Sequence, residues 1–294
     1  METELKNIQQ QEKHHDAFES KEHFDSTQSQ KTLFSMFPVA KRNMKAENEL
    51  TFKNQHLKFN SRLYQLWQKR CIRWASWTRV KSSGIDKINK NGPVLITPNH
   101  ISWKDIFLVA GMIPRTVHFV ANTALFEVNA CRNMLDNYFG KLVRYPIFQK
   151  SVSLCDRFLS KYMVNRVPYC GAIPAKLATK DFSLFDAIKN TFDQQKLICI
   201  FPEGGTGRSS ELRRFRLGIS RILYRYYLEN RISVPVYPVG ITGTRRYFHP
   251  YMQVGFYVGS PLFIHDYLQS DDFQTYLSFT DALRNAVAGL IEQK

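Results

Sequence analysis

The feature that most constrains the fold is a turn between two apolar runs in the first half of the chain. Residues 93–97, Pro-Val-Leu-Ile-Thr, have the composition of a short buried strand, and residues 106–110, Ile-Phe-Leu-Val-Ala, begin a helical pattern. Pro98 and Ser102 stand between them, where a proline interrupts the strand and a serine can start a helix. The pattern predicts a strand, a turn and a helix, the unit from which α/β proteins are built.

Further apolar runs alternate with helical patterns along the rest of the chain. Strands are expected at residues 115–121, 196–201, 234–239 and 252–258, and helices at 183–192, 215–229 and 280–293. This alternation predicts an α/β fold with a mostly parallel central sheet flanked by helices. The prolines within residues 234–239 indicate a strand end or an edge strand.

Charge and composition divide the chain into a tail and a basic region. Residues 1–55 are rich in Gln, Glu, Lys, His and Ser, which predicts a disordered polar tail. Residues 1–60 hold 9 basic and 9 acidic residues, so the net charge of +16 lies in residues 61–294. Such an excess needs an anionic partner: nucleic acid, an anionic membrane or a phosphorylated small molecule.

Residues 56–88 predict a basic amphipathic helix. Six basic residues and no acidic ones lie between Phe59 and Ser83, and Trp67, Cys71 and Trp74 recur at a helical spacing. Such a helix can dock on a membrane interface or pack its apolar stripe on the domain core. The absence of acids favours membrane docking, and the charge would also suit a nucleic acid.

The bulk features also predict the compartment. No apolar run reaches 18 residues, so no membrane-spanning helix is expected, and the first residues lack the apolar segment of a secretory signal. The five cysteines are odd in number and form no CxxC pair, which favours free thiols in a reducing compartment. The expected location is the cytosol or the cytosolic face of a membrane.

His100 and Asp105 lie in the predicted turn, and two interpretations of them stay open. In the first, Ser102 caps the helix, Asp105 completes a capping box and His100 is bonded to the backbone. In the second, Asp105 orients the imidazole and His100 acts as a general base on a bound hydroxyl. The chain has no GxSxG elbow, so a reaction here would use the substrate's own hydroxyl without a covalent enzyme intermediate.

A glycine-rich loop, Phe-Pro-Glu-Gly-Gly-Thr-Gly-Arg, occupies residues 201–208 at the end of a predicted strand. Its glycines allow backbone N–H groups to approach a ligand, and Thr206 and Arg208 suit a phosphate. The spacing is not that of a Walker motif, and an ordinary strand-to-helix turn is the alternative. Glu203 would be unusual in such a turn unless it meets a base or a substrate hydroxyl. The positive field continues through Arg213, Arg214, Arg216 and Arg221.

Together these motifs resemble the glycerolipid acyltransferases, and among them the 1-acylglycerol-3-phosphate (lysophosphatidic acid) acyltransferases. Asn99-His100-x-Ser102-x-x-Asp105 resembles the HX4D box of that family, and residues 201–206 resemble its FPEG-T motif. Residues 234–239, Val-Pro-Val-Tyr-Pro-Val, resemble its closing block, and Gly171-Ala172-Ile173 lies where its second block is expected. The four landmarks occur in the family's order.

The resemblance implies a catalytic domain over residues 89–294, with His100 as the base and Asp105 as its orienting acid. It implies transfer of a fatty acyl chain from acyl-CoA or an acyl carrier protein to a lysophospholipid hydroxyl, with 1-acylglycerol-3-phosphate favoured. It also implies a peripheral enzyme on an anionic membrane surface, with no metal, cofactor or nucleic acid. Substrate binding is expected from Asn99, Ser102, Lys176, Glu203, Gly204, Thr206 and Arg208.

Departures from the family pattern concern the acceptor. The second block continues as Pro174-Ala175-Lys176, so the expected arginine is missing and Lys176 or Lys180 is expected to replace it. Gly207 displaces Arg208 by one position. Residues 139–169 lengthen the interval between the first two blocks and predict a lipid-facing insertion or a lid. Another lysophospholipid or an amino-acid lyso-lipid therefore stays an alternative acceptor. A basic module without activity, which binds membranes or nucleic acid, is a further alternative.

Overall fold

The alternation of strands and helices predicted from the sequence is present in the computed structural model, which describes residues 59–139, 157–175, 182–206, 211–245 and 253–292. The predicted tail at residues 1–55 lies outside these ranges, as do Lys176, Arg208 and residues 140–156 of the predicted insertion.

One sheet contains all seven strands of the described ranges, and its order places β2 in the middle. The strands are β1 Lys81–Ser83, β2 Val94–Pro98, β3 Val117–Asn122, β4 Ile173–Ala175, β5 Leu197–Cys199, β6 Val236–Thr242 and β7 Gly255–Val258. Their order across the sheet is β1-β7-β6-β2-β5-β3-β4. Only β6 and β7 are antiparallel among the neighbouring strands of the described residues. The predicted mostly parallel sheet is confirmed.

Helices cover both faces of this sheet, which explains why the central strands β2 and β5 are buried along their whole length. They are α1 Ser61–Trp77, α2 Lys104–Met112, α3 Val128–Phe139, α4 Phe182–Asp193, α5 Gly218–Asn230 and α6 Asp272–Glu292. Side chains alternate along β2, so that Ile96 joins the core beneath α1 and α2, whereas Leu95 joins the core beneath α4, α5 and α6. Residues 157–166 are also helical.

The basic helix predicted for residues 56–88 covers a shorter range. The side chain of Asn60 accepts a hydrogen bond from the Leu63 N–H at 3.1 Å and so caps the start of α1. The helix ends at Trp77, and Arg79 then has a φ of +49° in the left-handed region. The chain continues as β1, which pairs with β7.

The apolar stripe of α1 faces the protein interior. Cys71 and Ala75 are buried against α2, and Trp67 and Trp74 pack beside them on the same core. The side-chain amide of Gln68 donates hydrogen bonds to backbone carbonyls at the end of α2. The apolar stripe of α1 therefore packs on the domain core, and any membrane contact of α1 must use the opposite face of the helix.

The prolines of residues 234–239 predicted a strand end or an edge strand, and of these two alternatives the edge strand is wrong. β6 lies between β2 and β7. Pro235 precedes the strand, so only Pro238 lacks a donor within it. The Pro238 carbonyl accepts from the Gly259 N–H at 2.9 Å, and paired residues of β6 and β7 begin only at Val239. An interior strand tolerates this proline because its nitrogen, which has no N–H to donate, precedes the first residue of β6 that pairs with β7.

Length and apolar character together determine whether a helix can span a membrane. Within the described ranges, no helix combines the two to the degree needed to cross a bilayer.

Candidate active site

The His turn and the glycine loop lie side by side at one edge of the sheet. They follow β2 and β5, which are parallel neighbours, so their carboxyl ends coincide. The backbone N–H of His100 donates to Oε1 of Glu203 at 2.8 Å. Two motifs separated by 103 positions in the chain therefore form one site.

His100 and Asp105 form a direct pair. Nδ1 of His100 lies 3.0 Å from Oδ2 of Asp105, and the carboxylate is fully buried while 11% of the imidazole is exposed. A carboxylate oxygen in this position favours the imidazole tautomer with the proton on Nδ1, which leaves the lone pair on Nε2. Phe201 stacks on the imidazole with 4.0 Å between ring centroids and so restricts its plane. The geometry suits a general base with an orienting acid.

The Asp105 carboxylate also holds the turn that carries His100. Its Oδ2 accepts the backbone N–H groups of Ile101 and Ser102 at 2.7 and 2.8 Å. This is one half of a capping box; in the other half, Ser102 Oγ accepts from the Lys104 N–H only at 3.4 Å. Helix capping and orientation of the histidine are thus compatible, and Ser102, predicted to bind substrate, is buried at the helix start. Burial lowers the pKa of Lys104, and the charge of Asp105 opposes that shift.

Glu203 connects the His turn to an arginine. While Oε1 accepts from His100, Oε2 accepts from Nε of Arg213 at 2.9 Å, and the Glu203 side chain is only 3% exposed. Arg213 also donates to the Gly205 carbonyl, and 40% of its side chain is exposed. We predicted Glu203 as a substrate-binding residue, but its two oxygens are engaged within the protein. The geometry suits it to hold His100 and Arg213 in place.

Gly204 allows a second arginine to lie against the loop. Its φ is +72°, and a Cβ at this position would collide with the guanidinium of Arg216. The backbone N–H of Arg216 donates to the Pro202 carbonyl at 2.9 Å. The next glycine, Gly205, borders open space within the described part of the chain, since no described atom beyond its chain neighbours lies within 4 Å of where its Cβ would be. Thr206, also predicted to bind substrate, follows at the end of the described loop.

Asn99 was predicted to bind substrate, but its side-chain amide is bonded to the backbone of β6. It is 3% exposed, its Nδ2 donates to the Ile241 carbonyl at 3.0 Å, and its Oδ1 accepts from the Ile241 N–H at 2.7 Å. Both amide atoms therefore continue the β2–β6 pairing beyond Pro98. This arrangement favours a structural role over substrate binding.

Sequence reasoning assigned no individual role to Arg213 or Thr244. Thr244 follows β6 and its hydroxyl donates to Oδ1 of Asp105 at 2.5 Å, across 139 positions in the chain. Arg213 was predicted only as part of a basic run. The signal that could have found Thr244 is its place just after a strand expected to run parallel to β2.

Two comparisons with known proteins bear on the family and the fold of this chain. The family model described as "Acyltransferase" matches residues 79–242, which is more than half of the chain. The chain therefore belongs to the acyltransferase family and is an acyltransferase. The match begins near β1 and ends with β6, and so includes the His turn and the glycine loop.

One similar solved structure is that of PlsC, a 1-acyl-sn-glycerophosphate (LPA) acyltransferase from Thermotoga maritima. The two chains are 17% identical, with a TM-score of 0.50, over 79% of this chain and 80% of the other. At this identity the likeness concerns the fold. No curated protein sequence matches the chain.

Proposed function

We propose that the protein transfers a fatty acyl chain from a thioester, either acyl-CoA or acyl-acyl carrier protein, to the hydroxyl of a lysophospholipid. The favoured acceptor is 1-acylglycerol-3-phosphate, as for the structurally similar PlsC. The observation that carries the proposal is the His100–Asp105 pair, in which a fully buried carboxylate holds Nδ1 of a slightly exposed imidazole.

The proposed reaction has two proton transfers at one nitrogen. Nε2 of His100 removes the proton of the acceptor hydroxyl while its oxygen attacks the thioester carbonyl carbon. Asp105 stabilises the imidazolium that forms. The tetrahedral intermediate then breaks its C–S bond, and the leaving thiolate receives the proton from Nε2. The products are an ester and a free thiol, so these steps need no metal or redox cofactor.

Backbone donors for the oxyanion are expected at the glycine loop. The N–H groups of His100, Ile101 and Ser102 are already bonded to carboxylates of Glu203 and Asp105. They are therefore poorly placed to bind a developing oxyanion, which needs donors aimed at it. The open space beside Gly205 is where a carbonyl oxygen could approach the backbone.

Arg213 and Arg216 are the described residues best placed to bind the acceptor phosphate. Both lie against the loop that Glu203 connects to His100, and a guanidinium presents five N–H donors in a planar fork. The bonds from Arg213 to Glu203 and Gly205 fix its orientation and leave donors for a phosphate. Thr206, Arg208 and Lys176 remain proposed as additional contacts.

Membrane association is proposed through two basic, aromatic surfaces. The outer face of α1 exposes Leu66 and Trp77 among its arginines and lysines. The helix at residues 157–166 exposes Phe158 and Tyr162, which are one turn apart, and residues 157–175 contain no acidic residue. Apolar and aromatic side chains surrounded by basic ones suit the interface of an anionic membrane, where a lysophospholipid acceptor resides.

The acceptor is tested by acyl transfer to lysophosphatidic acid and to monoacylglycerol, which lacks the phosphate. We expect the phosphorylated acceptor to be strongly preferred, and Arg213→Ala to raise its KM by about 10-fold or more, because a charge-assisted contact is lost. Arg214→Ala, which changes an exposed neighbour, is the matched control and should leave KM within about 2-fold. Equal use of both acceptors would contradict the proposed phosphate site, and transfer to another lyso-lipid would identify a different acceptor.

A further inference from the structure

We infer that Thr244 is a positioning residue for acyl transfer, the third member of a His100–Asp105–Thr244 chain. This inference rests on the proposed role of His100 as the base. The Thr244 hydroxyl donates to Oδ1 of Asp105 at 2.5 Å, while Oδ2 accepts from His100. Thr244 is 1% exposed and Asp105 is fully buried, so neither group exchanges this bond for water.

The turn after β6 is built to deliver this hydroxyl. Gly243 has a φ of +80°, and a Cβ there would collide with the backbone carbonyl of Gln253. Only glycine suits this backbone, which directs the chain back toward α2 immediately before Thr244. On the other side, the Asn99–Ile241 bonds hold β6 in register with the chain that leads to His100. Thr244 is thus fixed relative to Asp105 from both sides.

The hydroxyl complements the two backbone donors of Asp105. Ile101 and Ser102 hold Oδ2, on the same side as the imidazole, and Thr244 holds Oδ1. Donors on both oxygens prevent rotation of the carboxylate about its Cβ–Cγ bond. The carboxylate plane in turn determines where the imidazole directs Nε2.

The charge on the carboxylate is affected as well. A hydroxyl donor at Oδ1 withdraws negative charge that would otherwise act on the imidazole. Among the described residues, Lys104 and the buried thiol of Cys199 are further titratable groups that interact with Asp105. Removing the hydroxyl should therefore make the carboxylate a stronger acceptor for His100 and move the acid limb of the pH–rate profile to higher pH.

The test compares Thr244→Val and Thr244→Ser with the wild type, using acyl transfer to saturating lysophosphatidic acid from pH 5 to 9. Valine keeps the size of the side chain and removes the donor, and serine keeps the donor. We expect Thr244→Val to lower kcat by about 10-fold or more with little change in KM, because a buried charged oxygen loses its partner. The acid limb of its pH–rate profile should move to higher pH. Thr244→Ser should have a kcat within about 3-fold of the wild-type value and an acid limb at the wild-type pH.

A purely structural role for Thr244 gives a different result. In that case Thr244→Val would lower the urea concentration at the midpoint of unfolding and the amount of active enzyme, but the pH profile of the remaining activity would be unchanged. The double variant Asp105→Asn/Thr244→Val decides the matter: its kcat should equal that of Asp105→Asn alone, since the hydroxyl acts through the carboxylate. A further 10-fold loss in the double variant, or an unmoved acid limb in Thr244→Val, overturns the inference. If His100→Ala retains full activity, the proposed function fails first and separately.

Discussion

His118 of β3 is a buried histidine whose charge state is coupled to folding. It is 5% exposed, its Nδ1 donates to the Gly171 carbonyl at 3.0 Å, and its buried Nε2 has no hydrogen-bond partner among the described residues. Burial lowers the pKa of His118 to about 4; the Gly171 bond opposes this shift and the nearby Lys196 adds to it. The folded state therefore requires the neutral imidazole, whereas the unfolded chain binds a proton near pH 6.5.

The stability contribution of neutral His118 should be complete above pH 6.5 and decline as the pH falls toward 4, by at most about 3 kcal/mol. His118→Gln keeps an N–H donor for Gly171 but does not titrate, so its unfolding free energy should depend less on pH in this window. Urea unfolding at pH 7, 6 and 5 measures this effect. His265→Gln, which alters an exposed histidine, should retain the wild-type slope. Equal slopes for wild type and His118→Gln would show that His118 is not the group responsible.

Sequence reasoning at the residue scale succeeded where chemistry and local spacing coincide. The pairing of His100 with Asp105, which lie five positions apart, was one of two interpretations of this turn, and the structure contains the pair. The roles of Asn99 and Glu203 could not be deduced, because they depend on partners more than 100 positions away. An amide in a motif looks the same whether it binds a ligand or extends a sheet.

Among the elements, the contact between α1 and α2 depends on one glycine. A Cβ on Gly111 of α2 would lie 2.8 Å from the backbone oxygen of Cys71 in α1. The close approach allows the apolar stripe of α1 to cover the core beneath it. Leu108 and Val109, on the same helix as Asp105, belong to that core, so this contact also supports the helix that carries Asp105.

Gly111→Ala should destabilise the protein by about 1–3 kcal/mol, because two helix backbones must separate to admit the methyl group. Gly289→Ala in α6 is the matched control, since no described atom outside its own helix backbone lies within 4 Å of where its methyl group would be. It should be neutral or stabilising by up to about 1 kcal/mol. Chemical unfolding of both variants checks the prediction. A neutral Gly111→Ala would mean that the two helices are not in close contact.

The element predictions failed where tertiary context decides. Periodicity predicted an amphipathic α1 correctly, but a stripe of tryptophans suits lipid and protein interiors equally, and only the position of α2 assigns it to the core. The prolines of residues 234–239 indicated a strand end or an edge, whereas β6 is an interior strand whose pairing with β7 begins after Pro238. The mostly parallel sheet was predictable because strands separated by helices favour parallel neighbours.

For the whole molecule, the basic excess and the exposed aromatics together predict binding to anionic membranes. Trp77 and Phe158 are 62% and 80% exposed, on two segments without acidic residues. Trp77→Glu and Phe158→Glu should each weaken co-sedimentation with phosphatidylglycerol vesicles by about 10-fold or more, since an apolar anchor is lost and a like charge is gained. Binding should also weaken as salt is raised.

The matched control for these variants is Phe273→Glu, which changes an aromatic of α6 that is 47% exposed. It should bind vesicles like the wild type. Uncharged phosphatidylcholine vesicles should bind all forms weakly. If Phe273→Glu loses as much binding as the other two variants, the loss reflects net charge, and the proposed surfaces are not the points of contact.

The role of His100 as the base for acyl transfer is measured by the activity of His100→Ala with a radiolabelled acyl thioester and lysophosphatidic acid. The wild type should form labelled phosphatidic acid, while folded His100→Ala should do so at about 1% of that rate or less, because general-base catalysis contributes at least about 100-fold. Formation of the product by His100→Ala at the wild-type rate would show that His100 is not the base.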